Sequence, residues 1–278
     1  MINPAMFREY DIRGLADTDL NDEAVGRLAR GVGTYYRRHG QKAVFVGRDM
    51  RISSPRISRA LIQGLNETGC DVIDIGMVPT PVLYFALFHY DVANGLMITA
   101  SHNPKEFNGL KVAIDKSTIY GQEIQKLKGI IENGEFASGR GATIKKDVLA
   151  DYIGYVLQSL KIKKGLRIAV DTGNGTCGPL VDQIFKKLEL DYLILYKEPD
   201  GSFPNHVPDP VVPEHITDLI DTVKKDGFVC GIGFDGDGDR IGALDETGQV
   251  IWGDVLLAIY AEEVLARIPG AKVIFEVK

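Results

Sequence analysis

The sequence has few cysteines, no long apolar run and no excess of basic residues. Because Cys70, Cys177 and Cys230 are widely spaced, we expect neither a disulfide framework nor a zinc site, and a reducing compartment fits best. No apolar run approaches the roughly 18 residues that span a bilayer, and the N-terminal "MINPAMFREYDIRG" carries charges where a signal peptide needs apolar residues. We therefore expect a soluble, cytoplasmic protein with no membrane partner.

The charge balance argues against a nucleic-acid partner. The chain has 32 basic and 38 acidic residues and a net charge of −6, which still allows a local basic pocket for a small anion. Its 278 residues, 45% of them hydrophobic, provide enough apolar material for about two domains.

Short β-rich runs alternate with helical patterns along the first half of the chain. The pattern predicts strands over 43–47, 71–76 and 95–100, and two helices between them with Ser54 and Thr80 as their N-terminal caps. This alternation is typical of an α/β layer with crossover helices.

A Gly-rich, charged segment over 132–147 predicts a domain junction, after which the alternation restarts. The final predicted helix and the strand predicted over "AKVIFEV" (271–277) are too small to bury a core of their own. We expect an α/β protein with two successive three-layer domains and mixed sheets. The predicted divisions are residues 1–146, residues 147–250, and a truncated start of a third domain over residues 251–278.

Three carboxylates in "FDGDGDR" follow a predicted strand. Asp235, Asp237 and Asp239 alternate with glycines, which allow the backbone to curl and aim the side chains inward. Clustered carboxylates repel one another unless a cation lies between them, and hard oxygen ligands favour Mg²⁺ or Ca²⁺. The adjacent Arg240 suits an anionic ligand such as a phosphate. The alternative interpretation of this segment is a solvent-exposed acidic turn that binds no metal.

The segment "DTGNGTCGP" contains Gly173, Gly175 and Gly178 in the spacing GxGxxG. This spacing resembles a dinucleotide fingerprint, but Pro179 removes an amide from the first turn of the helix. A glycine turn that packs a strand onto a helix and a ligand-binding loop both remain open at this point.

Ser101 and His102 lie in "GLMITASHNPKEFNGLKV", after a predicted strand. Adjacent residues of an extended chain point to opposite faces, so we do not expect these two side chains to form a nucleophile-base pair. A polar turn between strands is one interpretation of the segment. If Ser101 faces the aspartates, phosphoryl transfer is the better one. Arg48 and Arg51, just before a helix N-terminus, form a candidate anion site.

Taken together, the segments identify a family resemblance. "TASHNPKEFNGLKV" resembles the phosphoserine loop of the α-D-phosphohexomutases, and "DGDGDR" is similar to their metal loop. "YDIRG", "GRDMRISS" and "DTGNGTCG" are also similar to that family and occur in the same order. The wording of the first loop resembles the phosphomannomutase/phosphoglucomutase branch.

The resemblance implies an intramolecular phosphotransferase, of the isomerase class, that interconverts hexose 1-phosphate and 6-phosphate through a phosphoserine and a 1,6-bisphosphate. It implies Mg²⁺ as cofactor, glucose 1,6-bisphosphate as activator, a hexose phosphate as substrate and a monomeric state. The implied metal ligands are Ser101, Asp235, Asp237 and Asp239. The implied catalytic groups are Ser101, Lys111, Arg13 and His102, and the implied substrate contacts are Tyr10, Arg240 and Lys278.

Members of the family resemble a four-domain heart, so we expect this chain to be a fragment that lacks the C-terminal sugar- and phosphate-binding domains and turns over poorly. The alternatives are the phosphoglucosamine mutase branch, a non-catalytic Mg²⁺-binding fragment and an NAD(P)-binding oxidoreductase that uses the glycine loop.

Overall fold

The computed structural model describes residues 2–275 and contains two β-sheets with helices packed against them. The first sheet has β1 (Ile12–Leu15), β2 (Ala43–Arg48), β3 (Asp71–Met77), β4 (Gly95–Ile98), β5 (Phe107–Ile114), β6 (Ser117–Thr118) and β7 (Thr143–Lys145). The second has β8 (Arg167–Asp171), β9 (Asp191–Leu195), β10 (Cys230–Phe234), β11 (Ile241–Leu244) and β12 (Val250–Ile251).

The helices fall between these strands along the chain. They are α1 (Asp22–Arg38), α2 (Ser54–Glu67), α3 (Thr80–His89), α4 (Gln122–Asn133), α5 (Leu149–Ser159), α6 (Gly178–Lys187), α7 (Thr217–Asp226) and α8 (Gly253–Arg267), with 3₁₀ turns at Pro4–Met6 and Pro213–Ile216. Among residues 2–275, no helix combines the length and the apolar character that crossing a bilayer requires.

Both sheets are mixed, as the sequence predicts. The first has the order β1-β5-β4-β2-β3-β7, with β6 beside β5; β2, β3, β4 and β7 run parallel, whereas β5 is antiparallel to β1 and β4. The second has the order β12-β11-β10-β8-β9, with β8, β9 and β10 parallel. Loops that carry chemistry extend from the carboxyl ends of parallel strands, and here the loops after β4, β8 and β10 meet.

The first sheet is buried on both faces. Side chains of α1, α2 and α4 cover one face, and those of α3 and α5 cover the other. Leu180 and Ile184 of α6, which belongs with the second sheet, pack into the same apolar cluster as Phe45 and Leu83. This shared cluster fixes the first sheet and its helices, the first unit, against the second sheet and its helices, the second unit.

Three local predictions from the sequence are wrong. Ser53, not Ser54, precedes the first residue of α2, because the Ser54 hydroxyl donates to the buried Asp49 Oδ1 at 2.5 Å instead. Likewise Pro79, not Thr80, precedes the first residue of α3. Residues 271–275 form no strand, and the rest of that predicted strand lies outside the described residues. Within α8 no residue is buried.

Candidate active site

Ser101 lies three residues beyond the end of β4, and its side chain points across to the second unit. The residue is 3% exposed, and its φ of +52° lies in the left-handed region that residues other than glycine rarely adopt. Its amide donates to Thr99 Oγ1 at 2.9 Å, and its hydroxyl donates to Asp235 Oδ2 at 2.5 Å. The turn therefore delivers the serine oxygen to the carboxylate cluster.

His102 contacts Ser101, contrary to the sequence expectation that the two side chains point apart. Its Nδ1 lies 3.1 Å from Ser101 Oγ, because the left-handed backbone of Ser101 breaks the alternation of an extended chain. Burial, together with the positive charges of Arg240 and Arg13, lowers the pKa of His102. The imidazole is therefore neutral at pH values near 7 and can accept a proton.

The loop after β10 gathers three carboxylates. Asp235, Asp237 and Asp239 each place one oxygen within 4.8 Å of the others, and the first two residues are fully buried. The backbone wraps inward, because Asp235 Oδ1 accepts the amides of Asp239 at 3.0 Å and Arg240 at 3.1 Å. The predicted cluster therefore exists, with its oxygens directed toward a common point.

The electrostatics of the cluster fit a divalent cation. Burial and, to a lesser extent, the negative charges of Asp237 and Asp239 together raise the pKa of Asp235 to about 8. Asp237 Oδ1 is buried and has no hydrogen-bond partner among the described residues. An all-oxygen donor set with one unsatisfied carboxylate oxygen is what a hard cation such as Mg²⁺ binds.

Two residues of the first unit hold Asp237. Lys111, on β5, places Nζ 2.7 Å from Asp237 Oδ2 and 2.5 Å from Asp239 Oδ2. Burial alone would lower the pKa of Lys111, but these two carboxylates raise it. Thr80, the first residue of α3, donates its hydroxyl to Asp237 Oδ2 at 2.6 Å and its amide to the Asp237 carbonyl at 2.8 Å. The sequence marked Thr80 only as a helix cap.

A cleft of about 510 Å³ opens above Ser101. Arg13, on β1, is 8% exposed and is oriented by Asn103 Oδ1 at 2.6 Å and Asp11 Oδ2 at 2.5 Å, whereas Tyr10 is 71% exposed. Lys278 lies outside the described residues. The lining comprises the predicted Tyr10, Arg13, Ser101, His102, Lys111, Asp239 and Arg240, and also Arg8, Glu9, Asp11, Tyr84, Asn103 and Thr118, which sequence reasoning did not assign to the site.

The glycine loop between β8 and α6 packs against the aspartate loop. Thr176 donates its amide to the Gly236 carbonyl at 3.0 Å and its hydroxyl at 3.1 Å. A Cβ on Gly175 would lie 2.8 Å from the same oxygen, and one on Gly178 would lie 1.8 Å from the Lys197 carbonyl. The glycines therefore permit close backbone packing of the protein on itself, which is the first of the two interpretations left open by the sequence.

Arg51 is not available as an anion site. It is fully buried, and its guanidinium donates to backbone carbonyls of the loop that contains Ser101. No local sequence signal distinguishes an arginine used in this way from one that faces solvent, because its partners lie about 50 residues away.

Two family profiles match the chain. Residues 4–138 match "Phosphoglucomutase/phosphomannomutase, alpha/beta/alpha domain I", and residues 150–248 match "Phosphoglucomutase/phosphomannomutase, alpha/beta/alpha domain II". These two stretches contain Ser101 and Asp235, respectively, so the cleft lies between the two matched regions.

Proteins of known name resemble the chain along nearly all of its length. A phosphomannomutase/phosphoglucomutase of Pseudomonas aeruginosa is 42% identical over 274 residues, which is 99% of this chain and 59% of that protein. A phosphoglucomutase of Neisseria gonorrhoeae is 39% identical over 98% of this chain and 60% of that protein. The chain therefore spans about three fifths of the length of these relatives.

A solved structure also superimposes closely. It is a phosphoglucomutase/phosphomannomutase family protein from Burkholderia thailandensis, with a TM-score of 0.94 and 40% identity over 98% of this chain and 61% of that one. A structure described as a putative phosphomannomutase from Thermus thermophilus gives a TM-score of 0.85 and 25% identity over 95% of this chain and 63% of that one.

Proposed function

The chain belongs to the phosphoglucomutase/phosphomannomutase family, and we propose that it carries a phosphoryl group on Ser101 and exchanges it with a hexose phosphate. The observation that supports this most directly is the 2.5 Å contact between Ser101 Oγ and Asp235 Oδ2. A serine next to a cluster of carboxylates, which can bind a cation, is better suited to carrying a phosphoryl group beside that cation than to the acyl transfer of a serine hydrolase.

Mg²⁺ is the proposed cofactor, held by Asp235, Asp237, Asp239 and the oxygen of Ser101. When bound, it offsets the charge of the phosphoryl group during transfer. Two observations support this fit: Asp237 Oδ1 has no hydrogen-bond partner among the described residues, and the pKa of Asp235 is raised. Both indicate that the positive side chains of the protein neutralise these carboxylates only in part, which leaves room for a bound cation.

The protein's own groups supply the proton movements. As Ser101 Oγ bonds to phosphorus, its proton passes to a group that contacts this oxygen, Asp235 Oδ2 at 2.5 Å or Nδ1 of the neutral His102 at 3.1 Å, and the bond from phosphorus to the sugar oxygen breaks. Lys111 and Arg13 line the same cleft and act on the departing sugar oxygen as acid or as charge-stabilising groups. In the opposite direction, the phosphoserine donates its phosphoryl group to the free hydroxyl of a hexose monophosphate and gives the 1,6-bisphosphate, whose other phosphoryl group then returns to Ser101.

For the whole protein, we propose reversible movement of phosphate between O1 and O6 of a hexose through a 1,6-bisphosphate, with glucose 1,6-bisphosphate as activator. Tyr10 and Arg240, on the cleft lining, are proposed substrate contacts, as is Lys278. A monomeric state, a cytoplasmic location and the division into residues 1–146, 147–250 and 251–278 are part of the same proposal.

Intact-mass measurement tests the carrier role. After incubation with glucose 1,6-bisphosphate and Mg²⁺, the chain should gain one phosphoryl group, and Ser101→Ala should gain none. Ser159→Ala is the control, since that serine is exposed at the end of α5, where its hydroxyl donates to the Tyr155 carbonyl. Equal phosphate uptake by Ser101→Ala would overturn the proposal.

A further inference from the structure

Arg51 holds the backbone of the loop that carries Ser101. It is 0% exposed and is among the largest fully buried side chains of the described chain. Its guanidinium donates to four carbonyl oxygens within one short segment, residues 101–107. Nη2 donates to Ser101 at 2.9 Å and Asn103 at 2.6 Å, and Nη1 donates to Pro104 at 2.7 Å and Phe107 at 3.0 Å.

The guanidinium is itself fixed on its other sides. Its Nε lies 3.2 Å from Oδ2 of the buried Asp49, whose Oδ1 accepts the Arg51 amide at 3.0 Å. The ring of Phe203, from the second unit, lies 5.2 Å from Arg51 Cζ. A Cβ on Gly201 would lie 2.7 Å from Arg51 Cα, so the second unit closes directly over this arginine. The side chain therefore has little freedom to change its conformation.

Burying an ion pair is costly, and stability alone does not demand one, because apolar side chains of similar volume often serve as well. What an arginine offers instead is a planar fork of donors with fixed geometry. Here the fork holds the carbonyl of Ser101, while Thr99 Oγ1 accepts its amide at 2.9 Å. Both peptide groups that flank the left-handed backbone of Ser101 are thus fixed.

We propose that Arg51 is a positioning residue for the transfer of phosphate. By holding the loop it keeps Ser101 in its unfavourable backbone conformation and its hydroxyl at Asp235. Arg51 touches no reacting atom; it acts through the carbonyl of Ser101. The proposal rests on the carrier role proposed for Ser101, but the holding of the loop is measurable without any phosphate.

The first measurement is amide hydrogen exchange in the intact chain. Arg51→Lys keeps a positive charge beside Asp49 but cannot reach all four oxygens. The matched control is Arg27→Lys, because Arg27 also donates to two backbone carbonyls, of Ile131 and Glu132, both at 3.1 Å, and neither residue belongs to the loop or to the cleft lining. The amides of Ser101, Asn103 and Phe107 should exchange at least about tenfold faster in Arg51→Lys and at the wild-type rate in Arg27→Lys.

The second measurement is the rate of phosphate uptake from glucose 1,6-bisphosphate, followed by mass. Arg51→Lys should slow this uptake by roughly 100-fold, the size of loss that a misplacement of about 1 Å produces, whereas Arg27→Lys should leave it unchanged. If Arg51→Lys does not fold, Asp49→Asn replaces it, since that change removes the charge that fixes the guanidinium and should produce the same loop-specific exchange and slowing.

Unchanged exchange of the loop, or faster exchange spread equally over both arginine variants, overturns the proposal. So does faster loop exchange accompanied by phosphate uptake at the wild-type rate, because the loop would then be held for no catalytic benefit. If the wild-type chain takes up no phosphate, the carrier role proposed for Ser101 is rejected for this chain. The role of Arg51 in holding the loop is still tested separately, because unchanged amide exchange in Arg51→Lys would reject it.

Discussion

The hydroxyl of Thr80 lies 2.6 Å from Oδ2 of Asp237, although the two residues are 157 positions apart in the chain. The Thr80 amide also donates to the Asp237 carbonyl at 2.8 Å. The first turn of a helix in one unit therefore sets both the backbone and the carboxylate of a proposed metal ligand in the other. The geometry of the carboxylate cluster depends on how the two units pack.

Replacing Thr80 with valine should weaken Mg²⁺ binding. The change keeps the side-chain shape but removes the donor that orients Asp237, and loss of such a supporting contact typically costs about 10- to 100-fold in metal affinity. Isothermal titration of Mg²⁺ into the wild type and Thr80→Val measures the effect. Thr80→Ser, which keeps the hydroxyl, should bind nearly as the wild type does; equal affinity for the valine and serine variants would contradict the role of the hydroxyl.

Replacing Lys111 with methionine should destabilise the metal-free protein. The ammonium bridges the buried Asp237 and the partly exposed Asp239, so its loss leaves carboxylates uncompensated at a cost of about 3 kcal/mol in the free energy of unfolding. Mg²⁺ should then raise the midpoint of thermal unfolding more in Lys111→Met than in the wild type.

The control is Lys126→Met, which removes an exposed pair with Glu123 at 2.6 Å. Such surface pairs contribute at most about 1 kcal/mol, so stability should hardly change and the Mg²⁺ response should equal that of the wild type. An Lys111→Met variant as stable as Lys126→Met without metal would show that the carboxylates do not depend on the lysine.

Local patterns in the sequence predicted much of the fold and the centre of the site. Runs such as "AVFVG" became β2, because a strand buried on both faces needs continuous β-branched and aromatic residues. Asp235, Asp237 and Asp239 were identifiable because acidic residues interleaved with glycines directly after a strand have few structural uses. Both signals lie within a few residues, where spacing alone carries the information.

The supporting contacts were not predictable in the same way. Thr80 contacts a partner 157 residues away, and Arg51 contacts partners about 50 residues away. The sequence around each residue contains no pattern that predicts these partners. The contact between Ser101 and His102 was predicted wrongly because the rule for extended chains does not apply at a φ of +52°. That conformation is maintained by tertiary hydrogen bonds, which cannot be predicted from the local sequence.

The contribution of His206 to stability should decrease as the pH rises. Its Nε2 lies 3.0 Å from Oδ2 of the buried Asp171, which precedes the glycine loop. Burial alone would lower the pKa of His206, but the hydrogen bond and charge of Asp171 raise it. The folded state therefore favours the protonated ring, so the stabilisation is complete below the unfolded pKa of about 6.5 and is lost as the pH rises through the higher folded pKa.

Urea unfolding at about pH 6 and about pH 8.5 checks the prediction for His206. The stability difference between the wild type and His206→Gln should be larger at the lower pH. His89→Gln, which replaces an exposed histidine, should show no such change. A difference that grows with pH would mean that the neutral ring is the form favoured by folding.

Replacing Gly238 with alanine should destabilise the protein more than the same change at Gly76. Both glycines have a φ of +72°, so each alanine costs about 1–2 kcal/mol for the left-handed backbone. A Cβ at Gly238 would also lie 2.2 Å from Cys177 Sγ, whereas at Gly76 nothing lies within 4 Å, so Gly238→Ala should lose a further 1–3 kcal/mol or so from overpacking. Chemical denaturation of both variants measures the difference in the free energy of unfolding.

Adding Cys177→Ala to Gly238→Ala removes the clashing sulfur and should recover part of the lost stability. Equal losses at the two glycines would contradict the prediction and show that the aspartate loop can shift to accommodate the extra methyl group.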